Sequence, residues 1–168
     1  MLTHYISTID QGVAFLARLK EHEYCQLADG IPSSIGSHTR HILDHFISLQ
    51  TSLDTGVVDY EVRQRGALLE TSLTEALSQF AEVRRWILGL NAMTITKIVR
   101  VNADIGIHES HIIQVDSTLS RELMFACSHA IHHYSTLKTI YQLMGGVTSA
   151  EFGLAPSTAS FNRNQCAH

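Results

Sequence analysis

The stretch "FACSHAIHHYSTLKTIYQLMGG", from Phe125 to Gly146, places three histidines inside a segment with helical apolar spacing. His129 and His133 are four residues apart, so on a helix their rings leave one face a turn apart and can converge on one point. Helices present two imidazoles to a metal ion with this spacing. At about 100° per residue, Leu119, Leu123, Ala126, Ala130, Tyr134, Leu137, Tyr141 and Met144 form the apolar stripe. His133 lies at its edge and His129 a turn earlier on the same side, whereas His132 falls nearly opposite, toward solvent.

One helix supplies two ligands, and a third must come from elsewhere. "SIGSHTRHILDHF" offers His38, His41 and His45 along one side of a second helix, flanking its apolar stripe. In a bundle such edges meet, and metal sites there are built from facing helices. Three neutral imidazoles make an open site suited to zinc, nickel or iron, with a position left for water or substrate. No carboxylate stands at ligand spacing beside His129 to favour iron. Asp44 could orient a histidine of the second helix from behind. The bland alternative is a set of hydrogen-bonded structural histidines. Cys127 reads as a small buried hydrophobe, and His4, His22 and His168 as surface residues.

Four long amphipathic helices must position these residues. The first spans roughly Leu2 to Leu27, with Ile6, Ile9, Val13, Leu16 and Leu19 at helical spacing. Gly30 and Pro32 then break the chain, and Ser33 or Ser34 can cap the second helix, which runs to about Leu53. "DTGVVDYEVRQRG" reads as a loop of some fifteen residues, a length usually tied to function. The third helix spans roughly Leu69 to Leu90. "TITKIVRV" and "HIIQVDS" alternate in the manner of strands and read as a β-hairpin with no further strand to join it. The fourth helix, from about Ser117 to Met144, is capped by Ser117 or Ser120 and stopped by Gly145-Gly146. The tail from 147 to 168 reads as mostly irregular. The expected fold is all-α: a single-domain four-helix bundle over 1–168 with a small hairpin between helices three and four.

Bulk properties narrow the function. The 168 residues carry 12 basic and 16 acidic side chains, for a formal charge of −4, so nothing suggests a nucleic-acid footprint. No run of about 18 apolar residues predicts a membrane span, and the opening "MLTHYISTIDQG" lacks the pattern of a signal peptide. Three dispersed cysteines, Cys25, Cys127 and Cys166, fit a reducing cytoplasm.

"SIGSHTRHILDHF", "RELMFACSHAIHHY" and "EFGLAPST" resemble, in order, the DinB-like (DNA-damage-inducible) metal-binding proteins, and "DYEVRQRGALLETS" is similar to one bacterial branch of them. The resemblance spans roughly Ser33 to Thr158. It implies a four-helix bundle with one divalent metal, zinc or nickel, held by three histidines. The HxxxH pair falls on His129 and His133, and the helix-two ligand on His41, with His45 as the alternate. The helical wheel alone favours His45 or His38. Relatives in that superfamily include bacillithiol- and mycothiol-dependent S-transferases and a maleylpyruvate isomerase.

Two functions follow as expectations. One is a metal-dependent transferase or isomerase acting on a small molecule with a low-molecular-weight thiol. Tyr60, Arg63 and Arg65 of the long loop would then hold anionic groups of cofactor or substrate. The other is a non-catalytic metal-binding or stress-response protein with a closed fourth position, supplied for example by His108, Glu109, His111 or Asp116. A homodimer is the expected assembly.

Overall fold

The computed structural model describes residues 2–165; Cys166 and His168 lie outside them. Helices dominate: α1 (Leu2–Leu16), α2 (Glu21–Cys25), α3 (Ile35–Thr55), α4 (Leu73–Gly89), α5 (Ala92–Ile95), α6 (Leu119–Leu143) and α7 (Pro156–Gln165). Three strands, β1 (Val57–Asp59), β2 (Ile98–Asp104) and β3 (Ile112–Thr118), form one small sheet in the order β1-β2-β3. The long helices α1, α3, α4 and α6 pack as the four-helix bundle. Ile9, Phe46, Phe80, Ile87, Leu123 and Tyr134 are among the side chains that fill its core.

α3 and α6 carry the histidines, and local chemistry sets where each begins. Ser34 caps α3 by accepting the Ser37 N–H at 3.1 Å. Gly56, at φ 72°, ends it in the left-handed conformation that glycine adopts without a Cβ penalty. Thr118 closes β3 and at the same time caps α6 through the Arg121 N–H. The hairpin therefore feeds directly into the helix that bears His129 and His133.

Four details differ from the sequence reading. The first helix is not continuous to Leu27. It stops at Leu16, and Lys20, with extended backbone, starts α2 while its N–H donates to the Glu23 carboxylate at 2.7 Å. The break lets Leu19 and Tyr24 both face the core. Five positions apart on one helix they would diverge by about 140°. Second, the hairpin is not alone. β1, inside the expected loop, pairs parallel to β2 from Val57↔Arg100 to Asp59↔Asn102. Three residues are too few to show a period, but Val58 is fully buried, and the Ser48 hydroxyl pins Asp59 to α3. Third, Thr94 and Ile95 lie in a helical turn capped by Asn91, so β2 starts only at Ile98. Fourth, the tail carries a ten-residue helix, α7, after an irregular stretch that runs up to it.

The segment before α7 returns to the bundle. Phe152 stacks on Phe15 at 4.4 Å and on Tyr134 at 5.4 Å between ring centroids. Gly153 N–H donates to Gln11, and the Tyr134 hydroxyl donates to the Thr8 carbonyl of α1. α1, α6 and the "EFGLAPST" segment thus close on one another.

Candidate metal centre

α3 packs along α6 with its histidine edge inward. His129 sits at the middle of the resulting cluster. Its Nε2 lies 3.0 Å from Nε2 of His41 and 3.1 Å from Nε2 of His133. Nitrogens bound to one ion at about 2.0–2.1 Å stand roughly 3.0 Å apart at right angles and about 3.4 Å apart in a tetrahedron. An imidazole nitrogen carries either one lone pair or one proton, so the Nε2 of His129 cannot satisfy two neighbours fully by hydrogen bonding. A shared cation would use all three lone pairs.

His45 completes the arrangement. Its ring stacks on His129 with centroids 4.2 Å apart, and its Nδ1 donates to the His41 carbonyl at 2.9 Å. That bond leaves a lone pair on the Nε2 of His45. Ligand nitrogens of His41, His45 and His129 all lie within 4.8 Å of one another, so these three residues could hold a metal ion. His133 meets the same centre through His129, its ring 4.8 Å from that of His41. His132 is exposed, in keeping with its place on the wheel. His38 instead approaches His133 from behind, Nδ1 to Nδ1 at 3.0 Å.

The rings are poised to ligate. Burial, then the neighbouring imidazoles, pushes His41 and His133 down to about 3 and His129 to about 4, and burial also lowers His45. At neutral pH these imidazoles are uncharged and their lone pairs are free of competing protons. The unfolded chain binds protons near pH 6.5 and the folded cluster resists them, so stability is intact above pH 6.5 and erodes as pH falls toward 4. We expect the melting temperature of metal-free protein to decline through that window. The decline should be shallower in His41→Gln, as melting curves between pH 7.5 and 4 would record.

The long loop borders the site. Tyr60 stacks on His45 at 4.9 Å, and its hydroxyl donates to Glu122 at 2.7 Å. Glu122 is fully buried and also accepts from Ser117 and Arg121. This buried carboxylate, which the sequence reading passed over, anchors the loop to α6. Its signal was a lone acidic residue on an apolar stripe. Tyr60→Phe should cost about 1 kcal/mol in urea denaturation, since Glu122 keeps two other partners. Arg63 is exposed, and its charge helps keep His41, His45 and His129 neutral. Among the described residues Arg63 forms no ion pair, and Arg65 is exposed and also makes none. His108, Glu109, His111 and Asp116 stay with the exposed hairpin. Among the described residues, no helix is long and apolar enough to cross a membrane.

The helical bundle with its small inserted sheet has the DinB-like fold. The chain is similar to a DinB-like protein (YjoA) of Bacillus subtilis, with a TM-score of 0.59 and 18% identity over 88% of this chain and 93% of that one. It is also 27% identical over 140 residues to FK506-binding protein 5 of Rhizopus delemar. That match covers 83% of this chain but 36% of the fungal protein, so the chain spans little more than a third of the curated relative's length. No family model matches the chain.

Proposed function

We propose that this chain binds one divalent metal, zinc or nickel, through His41, His129 and His133, and serves as a metal-dependent thiol transferase or isomerase acting on a small molecule. The observation that carries this reading is the Nε2 of His129 lying 3.0 Å from that of His41 and 3.1 Å from that of His133. When bound, the metal would supply a Lewis acid able to favour a thiolate or polarise a carbonyl at neutral pH. The chain's own residues do the rest. Arg63, which forms no ion pair among the described residues and whose charge reaches the imidazoles, takes a carboxylate or another anionic group of thiol or substrate. Tyr60, tied to Glu122, holds the loop against His45. Phe125, with Arg121 over its face at 5.4 Å, forms the wall beside His129.

The test joins elemental analysis of untagged protein to a turnover screen of low-molecular-weight thiols against small electrophiles. Metal near one per chain and metal-dependent turnover support the reading. In that assay Arg63→Ala should raise the KM for an anionic thiol about tenfold, a loss of roughly 1.4 kcal/mol, and leave the metal content unchanged. An unchanged KM removes Arg63 from the site.

One observation favours the non-catalytic reading. A ring nitrogen of His45 lies within 4.8 Å of ligand atoms of His41 and His129, and with Nδ1 donating to the His41 carbonyl the free lone pair sits on Nε2, so His45 could fill the fourth position. A closed four-histidine site would bind metal and give no turnover. We also propose a cytoplasmic homodimer acting on a small molecule without nucleic acid, which light scattering and a gel shift at low salt would check.

A further inference from the structure

His38 does not converge on the metal-binding atoms, and its position is informative for that reason. Its Nδ1 faces Nδ1 of His133 at 3.0 Å, while Nε2 of His133 faces His129. The two nitrogens occupy different flanks of the ring, so His38 reaches the side of His133 turned away from the cluster. The other nitrogen of His38, Nε2, lies 2.8 Å from the Ser33 hydroxyl. Ser33 directly precedes Ser34, the cap of α3, so the start of that helix fixes the far end of the chain of bonds.

Two Nδ1 atoms at this distance share one proton, because two lone pairs would repel and two N–H groups would collide. Only two arrangements exist for neutral rings. In one, His133 Nδ1–H donates to His38, and His38 Nε2–H donates to the Ser33 oxygen. The Nε2 of His133 then holds a lone pair aimed at the cluster. In the other, His38 donates and His133 presents Nε2–H, which cannot ligate. Ser33 can accept or donate as its hydroxyl turns, so the choice rests on the pair of rings and on what the cluster needs.

We infer that His38, steadied by Ser33, is a positioning residue that holds His133 in the Nδ1–H tautomer and so turns its Nε2 into a ligand. The inference rests on the metal reading above. It also explains the third histidine of α3, which the HxxxH pair and His41 leave without a role. Donation from Nδ1–H raises the basicity of the ligating nitrogen, and partners of this kind tune affinity by about 10–100-fold.

The test combines nitrogen-15 NMR of the imidazoles in metal-free protein with zinc competition titrations. Free histidine favours the Nε2–H form, so an Nδ1–H signature at His133 in the wild type is diagnostic. His38→Leu keeps bulk and removes the acceptor. It should move His133 toward Nε2–H and weaken zinc about 10–100-fold. His38→Gln, whose amide oxygen accepts a hydrogen bond, should restore both. The wild-type signature needs no variant, so it decides the role of His38 by itself if His38→Leu does not fold. Wild-type His133 in the Nε2–H form, or a His38→Leu variant with unchanged zinc affinity, overturns the inference. A wild type that takes up no zinc refutes the metal reading, and the tautomer measurement still decides the role of His38.

Discussion

His129→Ala is expected to reduce bound metal from about one per chain to below a tenth, an affinity loss of more than about 100-fold. The expectation is greatest here because His129 alone contacts both other nitrogens, at 3.0 and 3.1 Å. Removing it leaves His41 and His133 without the ligand between them. His41→Ala and His133→Ala should each come close to the same loss, and His132→Ala, on the exposed side of α6, should change nothing. His45→Ala separates the two functional readings. Full metal with faster turnover would mark His45 as an obstruction at an open position, whereas weakened metal would mark it as the fourth ligand. Metal quantified by mass spectrometry, with circular dichroism to verify folding, supplies each answer. Full occupancy in His129→Ala would place the metal elsewhere.

The second large effect concerns the frame of the site. Gly36→Ala should destabilise the protein by about 3 kcal/mol. In an open helix the same change stabilises by roughly 0.5–1 kcal/mol. Here a Cβ would meet the Glu70 carbonyl at 2.0 Å and the Tyr24 ring at 2.9 Å. The first contact is with backbone, which cannot swing aside as a side chain can. Arg40, one turn on, grips Glu70 at 2.9 Å and Asp44 at 2.6 Å, so the turn and α3 would have to move together. Gly89→Ala is the contrast, since nothing lies within 4 Å of its added carbon. Urea midpoints for the pair should move in opposite directions. A Gly36→Ala midpoint above that of the wild type would show that the turn yields freely.

Much of this arrangement is legible in the sequence because it depends on period. The α6 stripe from Leu119 to Leu137 is buried as its spacing predicts, and Gly145, at φ +86°, stops that helix as expected. The two histidine edges are legible for the same reason, since position on a helix follows from arithmetic. The order of His38, His41 and His45 about the centre is not. All three share one flank of α3, and only the packing of α6 against it sorts them: His41 toward the convergence, His45 stacked beside it, His38 behind. β1 and the α1–α2 break depend on contacts with β2 and the Leu68–Glu70 turn, distant in sequence, so no local pattern announces them.

The closure of α1 by α6 and the "EFGLAPST" segment has a consequence for biosynthesis. Ile9, Phe15 and Leu16 are made early, and part of their cover, with Tyr134 and Phe152, comes more than 100 residues later. At about 5–20 residues per second that face of α1 waits for roughly 6–30 seconds on the ribosome. The delay makes the newborn α1 a natural client for whatever shields apolar surface at the exit tunnel, and the histidine edges of α3 and α6 can meet only late in that wait, once His129 and His133 have been made.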